Sequence, residues 1–292
     1  MTNLGFMAAV AAVLSLVVTM SFSSFAAEDR YASDTDLYQI SSDSNRTIKV
    51  YVNGEELYQE DNFLINDTTY VPIRAFANAM GKCEISWSDE GHADISADSL
   101  EIIAYQGSNI LIANERYIFS SSEIMNIDSR IYVPVRSMAK AYSLSVNWNA
   151  DDYSVDLGGI PTPLESADEY YNETDIYWLS RIINAESAGE PLLGKIAVGN
   201  VVINRSKSEM YPDTIYGVIF DRKYGTQFSP VDNGMIYNVP GEESVVAAKI
   251  CLEGYSLSDE ILFFINPRIA TNNWVSVSRK YAFTIGNHDF YI

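Results

Sequence analysis

The chain runs to 292 residues, room for roughly two domains that each bury their own core. Its 47% hydrophobic and 20% charged residues are those of a globular protein, which excludes wholesale disorder. A formal net charge of −20 argues against a nucleic-acid partner, since phosphate binding needs basic clusters, and against electrostatic capture by an anionic membrane or wall polymer. A polyanion would have to be held by hydrogen bonds and stacking, and the 20 tyrosines suit half-buried surfaces that meet polar ligands such as sugars.

Residues 1–26 read as an export signal: 4–18 are an apolar run too short to span a bilayer comfortably, and Ser24-Phe25-Ala26 is a small-x-small cleavage pattern. No Lys or Arg precedes the run, so an uncleaved anchor is the alternative; no later segment has the character of a membrane span. Residues 27–46, rich in Ser and Asp without hydrophobic period, read as a flexible leader. From Thr47 short alternating stretches begin, with residues 48–52 forming a strand that runs into a turn at Asn53-Gly54.

A repeat follows. Tyr70-Val71-Pro72-Ile73-Arg74 leads to Ile85-Ser86-Trp87, and Tyr132-Val133-Pro134-Val135-Arg136 leads to Val146-Asn147-Trp148. Each unit predicts a strand, a proline opening a short helix, and strands bearing a tryptophan. The duplicated Tyr-Val-Pro-x-Arg motif resembles the copper amine oxidase N-terminal-like (stalk) domain over residues 47–158. No metal site is implied by that name, because the segment has a single histidine, His92, whose expected role is structural. The module reads as a binding or spacer domain, with a wall or protein partner. Residues 159–174, opening Gly159-Ile160-Pro161-Thr162-Pro163, are the expected linker. Cys83 and Cys251 read as free thiols in different domains.

In the domain expected over 175–292, Asp175 is a candidate N-cap for a helix with Ile176, Leu179, Ile182 and Ile183 on one stripe and Gly189 as its stop. Continued by three or four residues, the stripe reaches Glu186. A carboxylate on an inward apolar face is costly as an anion, so it should hold its proton toward neutral pH, as a general acid must. The plainer reading, a glutamate fraying at a helix end, stays open on spacing alone. Residues 196–203 are apolar nearly all round and predict a central buried helix. Further on come a helix opened by Glu243, a strand over 261–265, and a hairpin around Gly286-Asn287-His288.

The run Asn184-Ala185-Glu186-Ser187-Ala188-Gly189-Glu190-Pro191, then Gly194-Lys195-Ile196-Ala197-Val198, Val202-Ile203-Asn204-Arg205, Gln227-Phe228-Ser229-Pro230, Asn266-Pro267, Trp274 and Gly286-x-His288-x-Phe290-Tyr291 resembles the SleB/CwlJ cell-wall hydrolases. The resemblance implies an α+β chain: a C-terminal lysozyme-like, mostly helical domain with a small β-sheet, behind an N-terminal two-repeat β-rich stalk domain. It implies a secreted, wall- or spore-associated enzyme acting on peptidoglycan between N-acetylmuramic acid and N-acetylglucosamine, as a lytic transglycosylase with Glu186 as its acid and no cofactor or metal. The substrate-binding candidates are Tyr224, Gln227, Phe228, Ser229 and Trp274, with a core role open for Phe228 and Trp274. Were the outcome inverting hydrolysis, Glu190, Asp232 and Asp289 would be the candidate bases. His288 reads as structural. The rivals are an N-acetylmuramoyl-L-alanine amidase, for which two histidines in different domains are poor zinc ligands, and a non-catalytic wall-binding protein.

Overall fold

The computed structural model of this protein describes residues 46–57, 62–88, 91–97, 99–223, 225–270 and 273–292, so the export signal, nearly all of the leader and Tyr224 lie outside the described residues. Two units divide between Tyr170 and Tyr171.

The first unit is built from hairpins. Asn66-Asp67, Asn114-Glu115 and Asp128-Ser129 each carry positive φ at both residues, between 47° and 64°. Two-residue turns of this kind match the twist of the strands they join, and Asn and Asp tolerate the left-handed region best. In chain order the unit contains β1 (Arg46–Thr47), β2 (Lys49–Val52), β3 (Glu55–Glu56), β4 (Phe63–Ile65), β5 (Thr68–Pro72) and α1 (Ile73–Met80). Next come β6 (Cys83–Trp87), β7 (His92–Ala97), β8 (Leu100–Tyr105), β9 (Ile110–Ala113) and β10 (Arg116–Phe119). The unit finishes with β11 (Met125–Ile127), β12 (Arg130–Pro134), α2 (Val135–Ala141), β13 (Ser145–Asn149), β14 (Ser154–Gly158) and α3 (Ala167–Tyr170). Three sheets result, ordered β1-β4-β5-β12-β11, β10-β9-β8-β7-β6 and β13-β14-β2-β3.

The sequence repeat becomes an internal two-fold. β5 and β12 pair antiparallel with Val71 opposite Val133, and the repeated positions Ile73 and Val135, Phe76 and Met138, Ala77 and Ala139 all enter one core. Pro72 and Pro134 stand at the N-caps of α1 and α2, as the motif predicts. His92 lies on β7, with Nε2 3.2 Å from Asp94 Oδ1. The expected linker does not run free. Thr162 N donates to Tyr142 O, Leu164 N to Ala141 O and Ala167 N to Asn114 O, and Arg116 sits 3.3 Å over the Tyr170 ring. Backbone donors satisfied this way bind residues 162–170 to the first unit.

The second unit is mostly helical: α4 (Glu173–Ser187), α5 (Leu192–Lys207), α6 (Ile215–Ile219), α7 (Ser229–Asn233), a 3-10 turn (Met235–Tyr237), α8 (Glu242–Leu252) and α9 (Trp274–Ser278). A small sheet, β15 (Phe263–Ile265), β16 (Tyr281–Ile285) and β17 (His288–Tyr291), places β17 in the middle. The cap of α4 is Asn172, whose side chain accepts from Thr174 N and Asp175 N, three residues ahead of the expected Asp175. One carbonyl oxygen there satisfies two first-turn donors. The helix stops at Ser187, two residues short of Gly189.

α5 is the buried axis. Three of its polar side chains hold one loop: Asn200 Nδ2 donates to Tyr255 O, Asn204 Nδ2 to Ser258 O and Ile261 O, and Arg205 Nε to Leu262 O at 2.7 Å. Gly199 lets α4 and α8 close on this helix, since an added Cβ would lie 2.7 Å from Cys251 Sγ and 2.9 Å from Ile183 Cδ1. Gly199→Ala is therefore expected to cost about 1–3 kcal/mol through overpacking, read as a lowered thermal midpoint. An unchanged midpoint would mean the three helices part easily. Both cysteines are free thiols, and burial pushes Cys251 far up.

Candidate active site

Glu186 stands in the last turn of α4, one residue before its end, on the continuation of the stripe that buries Leu179, Ile182 and Ile183. It is half-buried. Burial pushes its carboxyl up to about 7, against the opposing charge of Arg205. That is the sequence-based expectation for a carboxyl held by apolar neighbours.

Arg205 is the residue that sequence reasoning left unassigned. It is buried near the end of α5, and its guanidinium lies 5.1 Å over both the Tyr211 and the Phe228 rings and 5.5 Å over Phe263. One nitrogen, Nη1, is buried without a hydrogen-bond partner among the described residues. Burial lowers its pKa, while Tyr211, Asp221 and Glu186 hold it up. The available signal was a charge closing an apolar helix inside the motif Val202-Ile203-Asn204-Arg205.

The binding candidates separate. Phe228 is 3% exposed and packs on Phe264 and Arg205, which fits the core role left open for it. Trp274 is exposed at the start of α9, edge-on to Phe263 at 5.7 Å and beside Arg279. Arg205 against Phe263, and Phe263 against Trp274, thus connect the charged neighbour of Glu186 to an open indole. Ser229 is exposed at the start of α7, and Gln227 Nε2 donates to Gly225 O at 3.2 Å. A second open aromatic group was not anticipated. Trp178, on α4 and about 12 Å along the axis from Glu186 by helical rise, packs against Tyr216 and Tyr237, both exposed.

The three candidate bases are committed elsewhere. Glu190 is buried and accepts from Asn287 N at 2.8 Å and Asn287 Nδ2 at 2.9 Å. Burial pushes Glu190 up, but those two bonds and the charges of His288 and Lys195 outweigh it, so its pKa is lowered. Asp232 pairs with Arg222 at 2.9 Å, and Asp289 accepts from Thr284 Oγ1 at 2.5 Å. His288 is buried, its Nδ1 4.0 Å from Glu190 Oε1, and burial lowers its pKa against the charges of Glu190 and Asp289. Lys195 Nζ donates to Glu190 O and to Glu243, tying the start of α5 to the start of α8. Among the described residues no three His, Cys, Asp or Glu side chains converge to hold a metal ion, and no helix is long and apolar enough to cross a membrane.

Comparison with known proteins matches residues 189–291 to the Cell Wall Hydrolase family and residues 51–157 to the copper amine oxidase N-terminal domain. The spore cortex-lytic enzyme of Oceanobacillus iheyensis is 33% identical over 135 residues, 46% of this chain and 47% of that protein. The spore cortex-lytic enzyme of Bacillus cereus is 35% identical over 120 residues, 41% of this chain and 45% of that protein. The chain thus spans about half the length of the curated relatives it matches. The solved catalytic domain of the germination-specific lytic transglycosylase SleB from Bacillus anthracis is 34% identical, aligning 42% of this chain with 97% of that one at a TM-score of 0.38. Residues 189–291 are thus similar to the cell wall hydrolase family, and residues 51–157, ahead of them, to the copper amine oxidase N-terminal domain.

Proposed function

We propose that this protein is an exported peptidoglycan glycosidase that cleaves between N-acetylmuramic acid and N-acetylglucosamine as a lytic transglycosylase, with Glu186 as its acid. The observation that carries the reading is a half-buried helix-end carboxyl held at about 7, with Arg205 the charged group acting on it. The family match begins three residues after Glu186, so the role of this residue rests on its environment and on the motif around it. The names of the curated relatives support a place in the spore or cell wall.

At neutral pH about half of the carboxyls with this pKa carry their proton, against well under one in a hundred for an ordinary glutamate, and Glu186 gives its proton to the glycosidic oxygen as the bond breaks. The carboxylate so formed gains from the charge of Arg205. It then takes the proton of the muramic 6-hydroxyl as that oxygen closes on the anomeric carbon, giving a 1,6-anhydro end. No water is added and no second carboxylate is required. Inverting hydrolysis would need a free base roughly 6.5–9.5 Å from the acid. The engagement of Glu190, Asp232 and Asp289 favours the transglycosylase outcome.

Mass spectrometry of the fragments released from purified peptidoglycan tests this. Anhydro-muramic ends are expected. Reducing muramic ends would overturn the transglycosylase step, and free stem peptides would overturn glycosidic cleavage itself. The pH profile gives a separate check: kcat/KM should be level below about pH 7 and fall tenfold per unit above it, as Glu186 loses its proton. A rate still rising through pH 8 would remove Glu186 as the acid.

A further inference from the structure

Two clefts in the first unit repeat each other. One, of about 590 Å³, is lined by Arg74, Ile85 and Trp87 of the first repeat and by residues 129–131 of the second. The other, of about 630 Å³, is lined by Arg136, Val146 and Trp148 of the second repeat and by residues 67–69 of the first. Each cleft is therefore made by one repeat's helix start and tryptophan strand, completed by the other repeat's hairpin. The antiparallel pairing of Val71 with Val133 generates that exchange. Both volumes fall in the range of small-molecule sites.

Recurrence at buried positions such as Val71 and Val133 or Ala77 and Ala139 follows from packing, but recurrence at exposed positions does not. Core positions of the repeats have drifted, Ile73 to Val135 and Phe76 to Met138, because a core asks only for apolar volume. At the surface, Arg and Trp are the same in both copies. Trp87 and Trp148 are 52% and 40% exposed, and an open indole is a cost unless a ligand covers it. Arg74 and Arg136 are exposed, and among the described residues neither forms an ion pair, in a chain where 39 acidic residues face 19 basic ones. An indole face beside an unpaired guanidinium is suited to a sugar ring that bears a carboxylate. No Asp or Glu lines the first cleft, whereas Asp67 lines the second, so the Arg74 cleft is the stronger of the two for an anion.

We infer that the two clefts are paired binding sites for a carboxylate-bearing glycan, one site per repeat. That the glycan is the wall polymer rests on the function proposed above; the clefts themselves do not. Two sites on one module engage successive units of a polymer, and linkage raises avidity by roughly 10²–10⁴ over either site alone.

The test uses the full chain carrying E186Q, so that the polymer is not consumed. In calorimetry with a soluble muramic-acid disaccharide, the E186Q chain should bind two more equivalents than the same chain with W87A and W148A, and each single tryptophan variant should lose one. Pelleting with insoluble peptidoglycan should weaken about 100-fold in the double variant. R74Q with R136Q should weaken the acidic disaccharide about tenfold and leave a neutral N-acetylglucosamine dimer unaffected. Unchanged binding in the double tryptophan variant, with a native melting curve, overturns the proposal; unchanged binding in the arginine variant overturns its carboxylate. If the parent chain fails to cut peptidoglycan while binding still needs both tryptophans, the catalytic reading falls and this one stands. Cutting combined with tryptophan-independent binding overturns this one alone.

Discussion

Glu186→Gln is expected to lower peptidoglycan cleavage by at least about 10³-fold while the chain stays folded, because general acid catalysis contributes roughly 10²–10⁴ and an amide has no proton to give. The same variant carries a stability signature that an ordinary surface glutamate would not. In the native state the carboxyl titrates at about 7, against 4.5 when free, so the folded protein holds the extra proton between those values. Stability is then lost as pH rises through that window, by about 3 kcal/mol in total, and below pH 4.5 no difference remains. Glutamine never ionises. The variant should melt with the parent at pH 4 and above it at pH 8, by about 1–3 kcal/mol, since its amide still has to be half-buried. Thermal melts at the two pH values, read beside the cleavage rate, give both numbers. A variant that cleaves at the parent rate, or that shows the same melting difference at both pH values, would show that the carboxyl is neither the acid nor confined.

Gly286→Ala should be among the most damaging small substitutions in the second unit. Gly286 has φ of +58°, and a Cβ built there would lie 1.9 Å from Glu190 Oε2. Glu190 cannot withdraw cheaply, because its carboxylate accepts from both nitrogens of Asn287 in the same turn. The clash and the left-handed backbone together should cost about 2–4 kcal/mol. With Glu190→Ala already in place the carboxylate clash is gone, leaving a tight contact of 3.1 Å with Pro191 Cδ, and the same glycine change should cost only about 1–2 kcal/mol, mostly backbone strain. Urea unfolding of the four proteins measures the difference between those two costs. If they are equal, the carboxylate and the hairpin do not press on one another.

The half-buried carboxyl proposed as the acid was legible because a helical period is local: Ile182, Ile183 and Glu186 share a face whatever surrounds them, and an apolar face turns inward. The doubled motif was legible for the same reason, and it announced the two-fold that β5 and β12 complete. The latch was not. Glu190 and Asn287 are 97 residues apart, and nothing in either neighbourhood specifies the other. Arg205 was visible as a charge ending an apolar helix, but its partner Glu186 lies on a different helix, and the distance between them depends on how α4 packs on α5. Phe228 stayed ambiguous because an aromatic looks alike in sequence whether it lines a cleft or fills a core; its burial against Phe264 and Arg205 is a property of the fold.

What the sequence alone determined, then, was everything carried by neighbours along the chain: the two units, the turns that accept left-handed residues, the repeat, and the placing of Glu186 on the apolar face of its helix. Tertiary structure alone decided which carboxylates are taken and which is left open. It also brought the charge of Arg205 to act on Glu186 and turned two copies of one motif into two clefts. These depend on burial and on charges brought together from distant positions, and both the cost of burying an ion and the strength of its neighbours are properties of the folded surroundings.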